Sequence, residues 1–254
     1  MAFAPFEGRR IYSERLGDGD RTVIFGHGNV ASCNTWRLMM PWLPLDRKNV
    51  FVDFPGFGKS DTIPPTTVEH CADALIAWQR YWKLEPAVYV GHSMGAVIGL
   101  MAALKGAQFS KMVLIGCGPA DGYPMTDQMR TSFQMLAANP ALIEAMTRKN
   151  NEPFGLGEDI LGELIADAVR CVPHAYTEMA DSLAGVRMSA QLSGLPMPVT
   201  FLHGDRDTVV PLDWIRPTVA AARGKLVVME GQVHLPMLVQ PEEFAHILEG
   251  ELGQ

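Results

Sequence analysis

No stretch of about 18 consecutive apolar residues occurs in the chain, which argues against a membrane-spanning helix. The opening residues, Met1 to Glu7, lack a basic start followed by an apolar core, so no secretory leader is expected there. Cysteine is scarce. Cys33, Cys71, Cys117 and Cys171 are scattered without metal-ligand spacing, so neither a disulfide framework nor a metal site is expected. They read as four reduced, buried thiols of a cytoplasmic protein. No basic stripe is visible, and the net charge of −7 is not gathered in any tail, so nucleic acid is not an expected partner. Internal repeats and low-complexity tracts are missing as well. Charged residues make up only 19% against 48% apolar, a globular balance, and 254 residues suit one α/β domain with an inserted subdomain.

What is present is a recurrence of short β-rich runs. Residues 22–25, 50–53, 87–90, 112–115, 198–202 and 225–229 are nearly continuous apolar stretches. Strands covered on both faces look like this, and parallel strands need helical crossovers between them. One crossover begins at Thr66-Thr67-Val68-Glu69, which has the spacing of a capping box, and continues with Val68, Cys71, Ala72, Leu75, Trp78 and Trp82 at helical spacing. A last helix opens at Pro241-Glu242-Glu243, where proline and acids suit a first turn. Residues 119–196 differ: they hold no convincing strand, but helical stretches at 127–138, 140–149, 158–171 and 175–184, broken at prolines. This segment reads as a helical cap inserted between a core of residues 1–118 and 197–254.

Gly91-His92-Ser93-Met94-Gly95 has the G-x-S-x-G form of a nucleophile elbow, with a strand before it and an apolar helix after it. A sharp turn there strains the serine backbone, lifts Oγ above the sheet and tolerates only small neighbours. A serine hydroxyl is a weak nucleophile without a base, and the base needs an orienting acid. Such an elbow is followed in the chain by the acid and then the histidine. The strand at 198–202 runs into His203-Gly204-Asp205-Arg206-Asp207, and the strand at 225–229 into Gly231-Gln232-Val233-His234. Asp207 is therefore the expected acid and His234 the expected base. Asp205 is the rival acid, with a turn residue as its other reading. His92 is read as packing beside the nucleophile, and His27 and His203 as orienting loops. His70, His174 and His246 are read as surface or core residues. An oxyanion hole needs two donors. The N–H of Met94 is one, and the N–H of Asn29, in Gly26-His27-Gly28-Asn29, is the other.

His27-Gly28-Asn29, Asp53-Phe54-Pro55-Gly56-Phe57-Gly58-Lys59-Ser60, Gly91 to Gly95, His203 to Asp207 and His234 together resemble the α/β-hydrolase superfamily. The resemblance covers nearly the whole chain outside the cap. It implies an α/β-hydrolase fold: a mostly parallel central sheet, helices on both faces and an inserted helical cap. It puts nucleophile, acid, base and oxyanion donors on Ser93, Asp207, His234, Asn29 and Met94. The Asp53–Ser60 stretch reads as a glycine-rich turn bordering the site, since it lacks the Walker spacing. Size and pattern are similar to small carboxylesterases and enol-lactone hydrolases. Asn29-Val30-Ala31-Ser32 resembles the corresponding loop of haloalkane dehalogenases, but those use an aspartate where this chain has Ser93.

The expected substrate is a small acyl compound, uncharged or mainly apolar, because no arginine or lysine cluster marks an acidic pocket. Trp36, Met129, Phe133, Leu136 and Met237 are the candidate substrate-binding residues. Met125, Met135, Met146, Phe154, Met179 and Leu183 are further candidate wall residues, although a methionine stripe at helical spacing also reads as core packing. The expected function is a serine esterase or lactonase without a cofactor, acting as a monomer or homodimer. Two alternatives stay open. The same triad could serve thioester hydrolysis, acyl transfer, perhydrolysis or carbon–carbon cleavage, or the fold could act as a ligand receptor with little turnover.

Overall fold

The computed structural model describes residues 2–171 and 174–253. Among the described residues eight strands form one sheet: β1 (Ala2–Phe6), β2 (Arg9–Leu16), β3 (Thr22–Gly26), β4 (Lys48–Val52), β5 (Ala87–His92), β6 (Phe109–Ile115), β7 (Val199–Gly204) and β8 (Lys225–Met229). Their order across the sheet is β1-β2-β4-β3-β5-β6-β7-β8. β1 pairs antiparallel with β2 and β2 antiparallel with β4, while every later pairing is parallel.

The apolar runs explain the middle of this sheet. In β3, Val23 and Phe25 point into one core and Ile24 into the other, and all three are fully buried. In β5, Val88 and Val90 share the first core while Ala87 and Tyr89 face the second. Strands sandwiched this way need apolar residues at every position. The two N-terminal strands escaped the sequence reading because they alternate with charged and exposed residues, as in Arg9 to Leu16. β8 was expected to be buried on both faces. It is an edge strand instead, with Val228 exposed.

The helices are α1 (Val68–Tyr81), α2 (Met94–Leu104), α3 (Asp127–Ala138), α4 (Pro140–Asn151), α5 (Glu158–Arg170), α6 (Glu178–Gly185), α7 (Ser189–Leu192), α8 (Leu212–Ala221), α9 (Pro236–Val239) and α10 (Pro241–Leu252). α1 and α2 pack against one face of the sheet, and α10 with the 3-10 turn Cys33–Trp36 against the other. The expected capping box at α1 is displaced by one residue. Thr67, not Thr66, is the N-cap and accepts from His70 N–H, while Glu69 accepts from Ser182 Oγ. Between β6 and β7 the described residues form helices and loops and no strand, and α3 spans the expected 127–138. All four cysteines are buried and free. No described helix is long and apolar enough to cross a membrane.

The chain runs from β3 outward to β4 and then returns to β5 on the other side of β3. Crevices at such a reversal, at the carboxyl ends of the strands, are where ligands bind in open α/β sheets. The loops after β3 and β5 both open there.

Candidate active site

β5 ends at His92 and α2 begins at Met94, so the whole turn is one residue, Ser93, with φ 51° and ψ −114°. This is an unfavourable backbone for a residue with a Cβ. Ser93 N–H is held by Ile115 O at 2.9 Å. Gly95 lets α2 approach β3: a Cβ there would lie 2.5 Å from His27 O and 2.6 Å from Gly26 O. Tyr89 Oη donates to Gly95 O at 2.6 Å and ties the helix start back to β5. Gly28, in the loop after β3, comes so near that a Cβ on it would sit 3.4 Å from Ser93 Cβ.

His234 Nδ1–H donates to Asp207 Oδ2 at 2.6 Å. Asp207 Oδ1 accepts the backbone N–H groups of Val209 and Val210, each at 2.8 Å. Burial works to raise the Asp207 pKa, but the hydrogen bond and charge of His234, with the Val210 N–H, hold it below the usual carboxylate range. The two loops are stitched together. Asp205 N–H donates to Met229 O at 3.1 Å, Arg206 N–H to Gln232 O at 3.0 Å, and Gly231 N–H to Asp205 Oδ1 at 2.7 Å. Asp205 is thus a loop-joining residue, and Asp207 is the carboxylate facing His234.

The other histidines form the frame. His92 Nε2–H donates to His234 O at 2.9 Å. Burial, followed by the neighbouring His234, pushes the His92 pKa down to about 3, so its ring is neutral. His27 donates from Nδ1 to Gly28 O at 2.7 Å and accepts Phe54 N–H at Nε2. His203 Nε2–H donates to Val210 O at 2.8 Å and lies 3.7 Å from Asp207 Oδ2.

Ser93, Met94, His234 and Asn29 line one cavity of about 400 Å³ between the sheet edge and the helical segment. Phe133 lines it, as do Met125, Met146 and Leu183. The remaining expected pocket residues lie elsewhere. Trp36 is fully buried behind the site, edge-on to Phe25 and His92. Met237 turns into the core beside Phe25, while its neighbours Leu235 and Leu238 reach the cavity. Met129 and Leu136 share a face of α3 with Phe133 but are half-buried away from the lining. Met135 is exposed, Met179 is in the core, and Phe154 is outside the lining. Sequence reading missed Tyr123, Tyr176, Asn151, Val209 and Val210. Val209 and Val210 could have been found from their place just after Asp207. The residues between β6 and β7 carried no signal, because only the docking of that helical segment turns them inward.

The stretch from Asp53 to Ser60, expected to border the site, contributes no residue to the cavity lining. It supports the site from behind. The Asp53 carboxylate accepts Cys33 N–H at 2.7 Å and Lys59 N–H at 2.8 Å, and Ser60 Oγ donates to Asp53 O. No described residue lining the cavity is an aspartate, glutamate, lysine or arginine. Among the described residues no cluster of histidine, cysteine or carboxylate side chains could hold a metal ion.

A family model described as "Alpha/beta hydrolase family" matches residues 23–247. A strigolactone esterase of Pisum sativum is 24% identical, over 94% of this chain and 95% of that protein. The karrikin insensitive 2 receptor CA of Petunia hybrida is also 24% identical, over 92% of each chain. The crystal structure of an enol-lactonase from Burkholderia xenovorans superposes with a TM-score of 0.85 at 16% identity and covers 100% of both chains.

Proposed function

The chain belongs to the alpha/beta hydrolase family, and from that we propose that it is a serine hydrolase cleaving a carboxylic ester or lactone through an acyl-enzyme on Ser93. The observation that carries this reading is the 2.6 Å hydrogen bond from His234 Nδ1–H to Asp207, with His234 and Ser93 on one cavity. With its Nδ1 proton held by Asp207, His234 has Nε2 free to act as base. Ser93 Oγ attacks the carbonyl carbon as Nε2 takes its proton. The N–H groups of Met94 and Asn29 hold the oxyanion of the tetrahedral intermediate. The imidazolium returns the proton to the departing alkoxide, and water attacks the acyl-enzyme by the same route in reverse.

The apolar, uncharged lining supports an uncharged acyl group. Relatives named as an esterase and an enol-lactonase support the carbonyl chemistry. The test is mass spectrometry of a fluorophosphonate adduct combined with a panel of p-nitrophenyl esters, acyl thioesters and lactones. A single adduct on Ser93, and loss of ester turnover in Ser93→Ala by roughly 10⁴–10⁶ in kcat, are expected. Wild-type turnover in Ser93→Ala overturns the reading. The relative named as a receptor favours one other reading, a ligand sensor with little turnover. Absence of any acylation burst across the panel, with ligand binding retained, would favour that reading.

A further inference from the structure

The loop that carries Asn29 is tied to the cap by its own side chains. Asn29 Nδ2 donates to Ala175 O at 2.9 Å, and its Oδ1 accepts Val30 N–H at 3.0 Å. Val30 has φ 52°, so the chain turns sharply straight after Asn29. Ser32 Oγ and Asn34 Nδ2 both donate to Asp167 Oδ2, Asn34 at 2.9 Å. Asp167 lies on α5 and is 3% exposed. Its helix neighbours Leu164 and Ala168 line the cavity. One turn of α5 thus touches the space for the acyl group with one side and grips the loop after β3 with the other.

Burial pushes the Asp167 carboxyl up, and its hydrogen bonds from Ser32 and Asn34 pull against this. A carboxylate in such a place is costly unless it is hydrogen-bonded, and Ser32 and Asn34 of the loop after β3 supply side-chain donors to it. The loop it grips needs fixing. Asn29 N–H must meet a developing oxyanion, and misplacement by about 1 Å can cost about 10²-fold in rate.

We propose that Asp167, together with the side chain of Asn29, is a positioning residue that sets the Asn29 N–H for the oxyanion and links that donor to the cap. This rests on the reading of Ser93 as nucleophile. The predicted signature separates positioning from simple support, because it falls on the tetrahedral state and spares ground-state binding.

The experiment compares wild type with Asp167→Asn, Asp167→Ala and Asn29→Ala. Each is assayed for kcat and KM on p-nitrophenyl butyrate. Affinity is measured for butylboronic acid, which forms a tetrahedral adduct on a nucleophilic serine, and for butyramide. Asp167→Asn keeps a carbonyl oxygen for both donors and should stay within a few-fold of wild type. Asp167→Ala should lower kcat and boronate affinity together by about 10²-fold, with KM and butyramide affinity little changed. Asn29→Ala keeps its backbone N–H and leaves no buried charge unpaired. It should show the same split, and it carries the test if Asp167→Ala does not fold. Equal boronate affinity in wild type and the alanine variants overturns the inference alone. A wild type that forms no boronate adduct overturns the underlying reading and the inference with it.

Discussion

His92 stands next to Ser93, the proposed nucleophile, and is not the proposed base. Its Nε2–H holds the carbonyl of His234, and its ring sits 4.8 Å from that of His234. Burial holds it neutral down to about pH 3, whereas in the unfolded chain it would titrate near 6.5. The unfolded state therefore binds a proton first as pH falls, and stability drains away from about 6.5 towards 3. His27 and His203 are lowered by burial in the same sense. In His92→Gln, which keeps a donor but does not titrate, Tm should fall less steeply with acid between about pH 6 and 4. Thermal melts across that range check it, and an unchanged slope rejects it. Asp207 acts at the same scale on rate. In Asp207→Asn the carbonyl oxygen stays with the Val209 and Val210 N–H groups and an NH2 faces His234, so the acceptor for the Nδ1 proton is lost and kcat should fall by about 10⁴. An ester assay with matched circular dichroism separates this loss from unfolding.

At the scale of the element, the start of α1 shows how a one-residue shift changes which side chain matters. The capping-box spacing points to Thr66, three residues before Glu69. Only Thr67 caps, and the Thr66 hydroxyl is buried without a partner. Thr67→Ala should cost about 1 kcal/mol, or about 2–4 °C in Tm. Thr66→Val, which removes an unpaired hydroxyl at equal size, should be neutral or stabilising. Calorimetry of the two variants decides between the caps. The elbow is an element of the same kind. Its glycines and serine are legible because the G-x-S-x-G run sits between a strand and a helix, and a Cβ at Gly95 would collide with the backbone oxygens of Gly26 and His27. The central strands were legible from their apolar runs. β1 and β2 were not, because Arg9, Arg10, Glu14 and Arg15 flank the three buried residues of β2 and leave no apolar run.

In the whole molecule, the helical segment between β6 and β7 decides the space above Ser93. Phe133 from α3, Met146 and Asn151 from α4, and Leu164 from α5 meet there although they are far apart in sequence. Phe133→Ala should widen the cavity and move the preferred p-nitrophenyl ester towards longer acyl chains, read as a shift in the kcat/KM maximum. The uncharged lining also makes a prediction. An ester bearing a terminal carboxylate should react more slowly than its methyl-ended counterpart, because burying an unpaired charge there is costly. Equal kcat/KM for the two would contradict it.

The sequence by itself determined the family pattern and singled out the residues of the proposed triad. A nucleophile elbow, an acid and a base need particular residue types at the ends of particular strands, and chain order with local turn rules points to Ser93, Asp207 and His234. It also determined the helical nature of residues 127–138, since capping and breakers are local. Tertiary structure alone decided which side chains of the helical segment between β6 and β7 face the cavity, that Leu235 and Leu238 reach it while Met237 does not, and that Asp167 grips the loop of Asn29. Those outcomes depend on the docking of helices across long sequence distances, and helical spacing alone does not say which of a helix's apolar residues will face a neighbour and which a void.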